Sequence, residues 1–188
     1  MQVMSWDHGE YYGVAFAVGK SRRYHAKLRA FYQQCDGLVV AATAATGTSA
    51  FAVLFGSSEN SKLAAWLTGV VALSSTLDLV FRFSDKSLLH SQLCVRFTEL
   101  AARLEELAPT EENLQLAKAE RIRIEKDEPT EKRIVDLLAH NDEARARGVD
   151  PNDLIPIGPI QSVVGYVWGN FGIRRLERWV RERHEKRH

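Results

Sequence analysis

Two long apolar runs, residues 38–55 and 63–83, interrupt an otherwise charged sequence. The first has no charged residue in 18 positions, and as an α-helix it would extend about 27 Å, close to the hydrocarbon thickness of a bilayer. The second is uncharged from residue 63 to residue 77. Because only residues 56–62 separate the runs, two helices here must be antiparallel. The pattern predicts a transmembrane helical hairpin.

The same runs also fit the central helices of a soluble bundle. Both are rich in Ala, Thr, Ser and Gly, and the mean hydropathy of the whole chain, −0.23, is that of an ordinary soluble protein. The remaining sequence is highly charged, however, and offers few long apolar faces that could surround two helices apolar on all sides. We therefore prefer the membrane hairpin and keep the soluble bundle as an alternative.

Cations flank the hairpin on one side. The link between the runs holds one cation, Lys62. Eight cations precede the first run, or lie at or beyond the end of the second: Lys20, Arg22, Arg23, Lys27, Arg29, Arg82, Lys86 and Arg96. By the positive-inside rule, both termini are cytoplasmic and the link is external.

Helical patterns continue on both sides of the hairpin. Residues 85–107 read as a helix with apolar positions near a common side (Leu88, Leu89, Val95, Leu100, Leu104 and Leu107), and Pro109 ends it. A further helix starts near Glu111, and Pro129 opens the next, with Asp127 and Glu128 as acidic residues at its start. We expect an all-α, oligomeric membrane protein with a cytoplasmic helical bundle. Its expected divisions are an irregular lead-in to about residue 19 and a basic helix (1–36), the hairpin (37–83), the cytoplasmic helices (84–150), and a linker with basic amphipathic helices (151–188).

Polar side chains within the spans are candidates for a pore or gate: Thr43, Thr46, Ser74, Asp78 and Arg82. The hydroxyls can bond to their own backbone or line a polar path. Asp78 and Arg82 are four residues apart, which suits a local ion pair; a ring of Asp78 carboxylates in an oligomer would instead favour cations. Two helices cannot enclose a pore, so a path requires an oligomer, for which we expect a tetramer.

Chemistry-bearing motifs of enzymes are missing from the sequence. The net charge is +1, and no glycine-rich phosphate loop, nucleophile motif or metal-ligand cluster is present, so we expect no catalytic residue, no metal and no cofactor. The lone His25 is expected to be a packing or interfacial histidine.

The basic segment 172–188 predicts an amphipathic helix that docks on anionic lipid or packs with a solvated face, or that binds a nucleotide. Ligand-binding candidates are Arg121, Arg123, Arg174, Arg175, Arg178, Trp179 and Arg181.

A motif after the hairpin gives the chain a family resemblance. Ile-Glu-Lys-Asp-Glu-Pro at residues 124–129 is followed by His140-Asn141, and Arg23-Tyr24-His25, the two spans and His90 precede it in order. Over about residues 22–142 this order resembles the SLATT family of two-span membrane proteins. Ala139 stands where many relatives carry cysteine, which argues against a thiol-dependent role.

The resemblance implies a bacterial inner-membrane effector of anti-phage defence. Such proteins are expected to oligomerise into pores gated by a nucleotide or oligonucleotide that a partner nucleotidyltransferase makes, with depolarisation and abortive infection as the result. A non-conducting membrane anchor or signalling scaffold is the alternative. The resemblance also implies a functional motif, which we interpret as a polar network coupling the cytoplasmic helices to the spans: His90, Glu125, Asp127, Glu128, His140 and Asn141.

Overall fold

The computed structural model describes residues 8–55, 61–170, 173–174, 176 and 178–179. It is 84% helical, with no strand among the described residues, which confirms the predicted all-α class. The helices are α1 (His8–Phe55), α2 (Ser61–Phe81), α3 (Phe83–Glu106), α4 (Glu111–Glu125), α5 (Arg133–Ala146) and α6 (Pro159–Val167), with a 3-10 turn at Pro151–Asp153.

Helix α1 is 48 residues long and holds both the basic segment and the first apolar run. The basic segment and the first apolar run therefore form one continuous helix. The expectation of an irregular lead-in up to residue 19 is wrong from His8 onward, because α1 already begins there. Val14 and Val18, one turn apart, are buried and give this first part of α1 a packing face.

A single residue, Arg82, separates α2 from α3. Its φ of 48° lies in the left-handed region, which ends the helical repeat after Phe81. The guanidinium of Arg82 lies 2.5 Å from the carboxylate of Asp85. The local ion pair with Asp78, one of the alternatives for that residue, therefore does not form, because the guanidinium pairs with Asp85 instead. Among the described residues, Asp78 forms no ion pair.

Prolines mark the later helix boundaries, though not always where the sequence places them. Thr110 caps α4, accepting a hydrogen bond from the Asn113 N–H at 3.2 Å, as the break at Pro109 predicts. Helix α5, however, begins only at Arg133. The interpretation of the acidic residues beside Pro129 as a helix start is therefore wrong, because they belong to the loop 126–132 that follows α4.

The chain divides into two compact units. The first unit consists of the residues up to Leu28 together with those from His90 onward, and the second unit is Arg29–Leu89. The first unit has an aliphatic and aromatic core, whose fully buried side chains include Val18, Leu28, Leu93, Phe97, Leu114, Ile124, Ile134 and Val135.

The second unit exposes its apolar side chains. Trp66 and Leu79 are 76% and 79% exposed, and Leu38, Val40, Leu73 and Val80 are also exposed. Among the described residues, the helical stretch Ala65–Glu106 is long and apolar enough to cross a membrane; its best 18-residue window has a mean hydropathy of 1.3 and is 0% buried. The first five residues of the predicted external link, 56–60, lie outside the described residues.

Candidate functional site

Two buried histidines meet inside the first unit. His25 is on α1 and is fully buried, and His90 is on α3 with 3% of its surface exposed. Their Nδ1 atoms are 2.9 Å apart, which is hydrogen-bonding distance. We call them the histidine pair. A contact across 65 residues of sequence joins the helices that precede and follow the hairpin segment.

Glu128 extends the histidine pair into a chain of three groups. Its Oε1 lies 3.0 Å from His25 Nε2. When His25 Nε2–H donates to this carboxylate, the Nδ1 atom of neutral His25 can only accept, so His90 Nδ1–H must donate to it. Hydrogen bonding thus sets the tautomer of both rings, and the three groups form one directional chain.

Aromatic rings enclose the histidine pair. The ring of His25 lies edge to edge with that of His90 and nearly parallel to that of Phe97, with ring centroids 5.2 and 5.5 Å away. The ring of Tyr24 meets His25 edge-on at 5.0 Å, and its hydroxyl accepts a hydrogen bond from the Lys132 N–H at 2.9 Å. Burial raises the pKa of Tyr24, so this hydroxyl stays neutral at physiological pH.

The surroundings oppose a positive charge on His90. Burial, the neighbouring His25 and the Lys132 ammonium together lower the pKa of His90 to about 4, from an ordinary value of 6.5. At neutral pH, His90 is therefore uncharged. The interpretation of His25 as a packing histidine is incomplete, because its ring also joins His90 to Glu128 through both nitrogens.

The other acidic members of the motif form separate ion pairs. Glu125 pairs with Arg121 one turn earlier at 2.6 Å. Asp127 pairs with Arg96 of α3 at 2.7 Å, and this hydrogen bond holds the pKa of Asp127 below its ordinary value. Of the three motif carboxylates, only Glu128 reaches the histidine pair.

His140 and Asn141, although adjacent in sequence, contact different parts of the first unit. His140 meets Phe16 edge-on, with ring centroids 5.1 Å apart, and burial followed by the charge of Lys20 lowers the pKa of His140. Asn141 holds the backbone of Ile155: its Nδ2 donates to the carbonyl at 2.7 Å, and its Oδ1 accepts from the N–H at 2.9 Å. The motif is therefore spread over several contacts of the first unit.

The candidate ligand-binding arginines fall into two groups. Arg121 is paired with Glu125, and Arg123 with Glu120 at 3.2 Å. Arg174 and Arg178 are exposed, and neither forms an ion pair among the described residues. Two further candidates, Arg175 and Arg181, lie outside the described residues.

Trp179 lines a cavity of about 480 Å³. Asn141, Asp142 and Arg145 of α5 form one wall, and residues 151–152 and 154–157 form another. Arg145 pairs with Asp142 at 3.1 Å. A cavity with an indole ring and a guanidinium can hold a flat ring that carries an anionic group.

The pore candidates show mixed geometry. The hydroxyl of Thr46 donates to the carbonyl of Ala42 at 2.5 Å, which is the self-bonding alternative of the two that the sequence leaves open. Thr43 and Ser74 are half-buried, and Asp78 and Arg82 are exposed.

Sequence reasoning missed a buried carboxylate, that of Glu143. Its carboxylate accepts hydrogen bonds from Arg23 and Arg147, each at 2.7 Å. Burial opposes ionisation, but the two arginines outweigh it and hold the pKa of Glu143 below its ordinary value. The carboxylate packs against Gly19, where any side chain would overlap it. Nothing in the charged sequence around Glu143 separates it from its exposed neighbours.

No group of three or more His, Cys, Asp or Glu side chains placed to hold a metal ion occurs in the part of the chain that the structure describes. Comparison with known protein families, with curated proteins and with solved structures finds no match. Function must therefore be argued from the geometry and from the motif.

Proposed function

We propose that the chain is a membrane effector of bacterial anti-phage defence, which assembles into an oligomeric ion channel gated by a nucleotide or oligonucleotide. Residues 38–55 and 63–83 form its transmembrane hairpin in the inner membrane, with both termini in the cytoplasm. Opening would depolarise the cell and abort the infection. The SLATT resemblance supplies the expected ligand class and context, and the uncovered second unit supplies the physical argument.

The exposure of the second unit carries this proposal. Trp66, Leu73 and Leu79 expose most of their surface, and none of the most apolar 18-residue window within Ala65–Glu106 is buried. A core helix of a soluble protein would be mostly covered by its own chain. Exposed apolar surface on this scale marks contact with lipid or with another subunit. In the assembled channel, lipid would cover the apolar side chains on the outside, and neighbouring hairpins would cover those on the inside.

The histidine pair supports a gating role for the first unit. It ties α1 to α3, and both helices continue covalently into the second unit. Glu128 adds the loop between α4 and α5 to the same chain of hydrogen bonds. A ligand that moves this loop would have to break or shift bonds to His25. Two discrete arrangements of such a network are what coupling between sites requires.

The cavity beside Trp179 is the best placed candidate for the ligand. An indole ring stacks on bases, and the Arg145 guanidinium in the wall of the cavity supplies positive charge for phosphate. Trp179→Ala should weaken ligand binding while leaving assembly unchanged.

Planar-bilayer recording of the purified full chain tests the proposal. We expect unitary currents that depend on one member of a panel of cyclic and linear oligonucleotides. Asp78→Asn should change conductance without preventing assembly, because the exposed Asp78 carboxylate would line the path. Inserted, oligomeric protein that stays electrically silent with every ligand would instead support the non-conducting scaffold.

Two matched variants separate gating from conduction. Glu128→Gln keeps the size of the side chain but weakens its bond to His25, so it should shift the ligand concentration needed for opening and leave unitary conductance unchanged. Glu120→Gln alters an acid that pairs with Arg123 on the surface of α4, and it should change neither. Equal behaviour of the two variants would argue against coupling through Glu128.

A further inference from the structure

Helix α6 presents an uncovered apolar face. Ile160, Val163 and Val167 follow the spacing of one helical face, and each is more than half exposed. Trp168, immediately after the helix, is 70% exposed. The chain has no charged residue from position 154 to position 173. We call the four side chains of Ile160, Val163, Val167 and Trp168 the α6 patch.

Packing of the opposite face fixes the orientation of the α6 patch. Gly165 is buried against Ile134 of α5, so closely that an added Cβ would lie 2.6 Å from the Cβ of Ile134. The Ile134 N–H donates to the Gly169 carbonyl at 2.9 Å, and the Lys132 ammonium donates to the Tyr166 carbonyl. With α6 held on this side, its apolar side chains must point away from the first unit.

We propose that the α6 patch docks on the surface of an anionic phospholipid bilayer. This inference rests on the proposed function, because it requires the chain to be membrane-bound with the first unit on the cytoplasmic side. Helix α6 has nine residues, about 13 Å of helix, so it is too short to span a bilayer but suited to lie in the interface. Trp168 has the amphipathic ring that concentrates at the headgroup level.

Charge identifies the lipid as anionic. The exposed Arg174 and Arg178 follow the α6 patch in sequence, and neither forms an ion pair among the described residues. The cytoplasmic leaflet carries the negative lipid headgroups that attract such cations. Two copies of the chain meeting through this face would instead bring the same cations near one another. Charge complementarity therefore favours lipid over a second copy.

Tryptophan fluorescence of the full chain tests the inference. Trp6, Trp66 and Trp179 are replaced by phenylalanine, which leaves Trp168 as the single reporter, and the protein is reconstituted into phosphatidylcholine vesicles with or without phosphatidylglycerol. In the anionic vesicles we expect blue-shifted emission, quenching by acyl-chain-brominated lipid and protection from aqueous acrylamide. In molar salt, where the Debye length is about 3 Å, the quenching by lipid should fall.

A second single-tryptophan protein distinguishes this inference from the proposed function. Trp66 lies in the proposed span, so a protein that keeps only Trp66 should be quenched by brominated lipid whatever the headgroup charge. If Trp66 is quenched and Trp168 is not, the docking inference is overturned while the membrane hairpin stands. If neither is quenched, both fail. Equal quenching of Trp168 in neutral and anionic vesicles would overturn the anionic assignment.

Substitutions in the reporter protein supply the matched control. Val163→Asp places a charge in the α6 patch and should abolish the quenching of Trp168. Leu116→Asp alters a similarly exposed leucine of α4 outside the patch and should leave the quenching unchanged. Efficient crosslinking between Val163→Cys chains that lack Cys35 and Cys94, together with no lipid quenching, would show that a second copy covers the patch and would overturn the inference.

Discussion

His25 and His90 share a hydrogen bond of 2.9 Å between their Nδ1 atoms, with both rings buried in the first unit. Two imidazoles in this arrangement need one donor and one acceptor, and the bond from His25 to Glu128 decides which is which. The two rings satisfy each other at a place that water does not reach, and His25 is also satisfied by the partly exposed Glu128. The chain of bonds therefore constrains α1, α3 and the loop before α5 together.

Replacing both members of the histidine pair should cost less stability than the sum of the two single replacements. His25→Leu or His90→Leu leaves the other ring with an unsatisfied buried nitrogen, a loss of about 1–3 kcal/mol in the free energy of unfolding. The double variant should lose less than the sum, with a coupling of roughly 0.5–3 kcal/mol. Denaturant unfolding of purified protein, followed by circular dichroism, measures the cycle, and strict additivity would contradict the bond.

Stability of the first unit should fall as the solution becomes mildly acidic. The pKa of His90 is about 4 in the folded chain and 6.5 ordinarily, so between these values the unfolded state binds more protons. The stabilisation is complete above pH 6.5 and declines as the pH falls toward 4. From the linkage relation, His90 alone contributes a loss of about 2 kcal/mol between pH 7.5 and pH 5.

His90→Asn provides the control for this pH dependence. The asparagine amide can replace the Nδ1–H donor to His25 but does not titrate, so its unfolding free energy should vary less over the same range. The half-buried His140 has a lowered pKa as well, and its contribution remains in both proteins. An identical pH profile for the two proteins would refute the assignment to His90.

Hydrophobic periodicity predicted the helices well but their buried faces poorly. In α3, the buried side chains are Leu93, Phe97, Leu100 and Leu104, spaced as one helical stripe. The predicted face included Leu88 and Val95, which are exposed. Leucine and valine occur on both sides of this helix, so the pattern is consistent with more than one face. Only the helices packed against α3 decide which face is buried.

The sequence indicated which residues belong to the candidate site, but it could not indicate which of them are in contact. The order of residues indicated that His90 and Glu128 belong to one functional set, yet 38 positions separate them. Periodicity reports neighbours within a helix and carries no information on which helices meet. The loop at Pro129 shows a second limit, because proline marks a boundary but does not say how many residues later the next helix begins.

Gly165→Ala should destabilise the first unit although alanine favours helix. A methyl group there would overlap Ile134, a buried β-branched residue with little freedom to move, so we expect a loss of about 1–3 kcal/mol. Gly13→Ala is the matched control, since its helix position is open, and it should be neutral or stabilising by up to about 1 kcal/mol. Thermal unfolding of both variants measures the difference, and equal midpoints would contradict the close packing of α6.

Asn141→Asp should release the loop that follows α5. The substitution keeps the shape of the side chain and its acceptor oxygen, so the bond from the Ile155 N–H can persist. It removes the amide donor, however, and places a negative oxygen 2.7 Å from the Ile155 carbonyl. We expect a loss of about 1–3 kcal/mol in stability and faster hydrogen exchange at Ile155. Asn170→Asp adds the same charge at an exposed position and should leave that exchange unchanged. Matching exchange rates in the two variants would mean that Asn141 does not hold the loop.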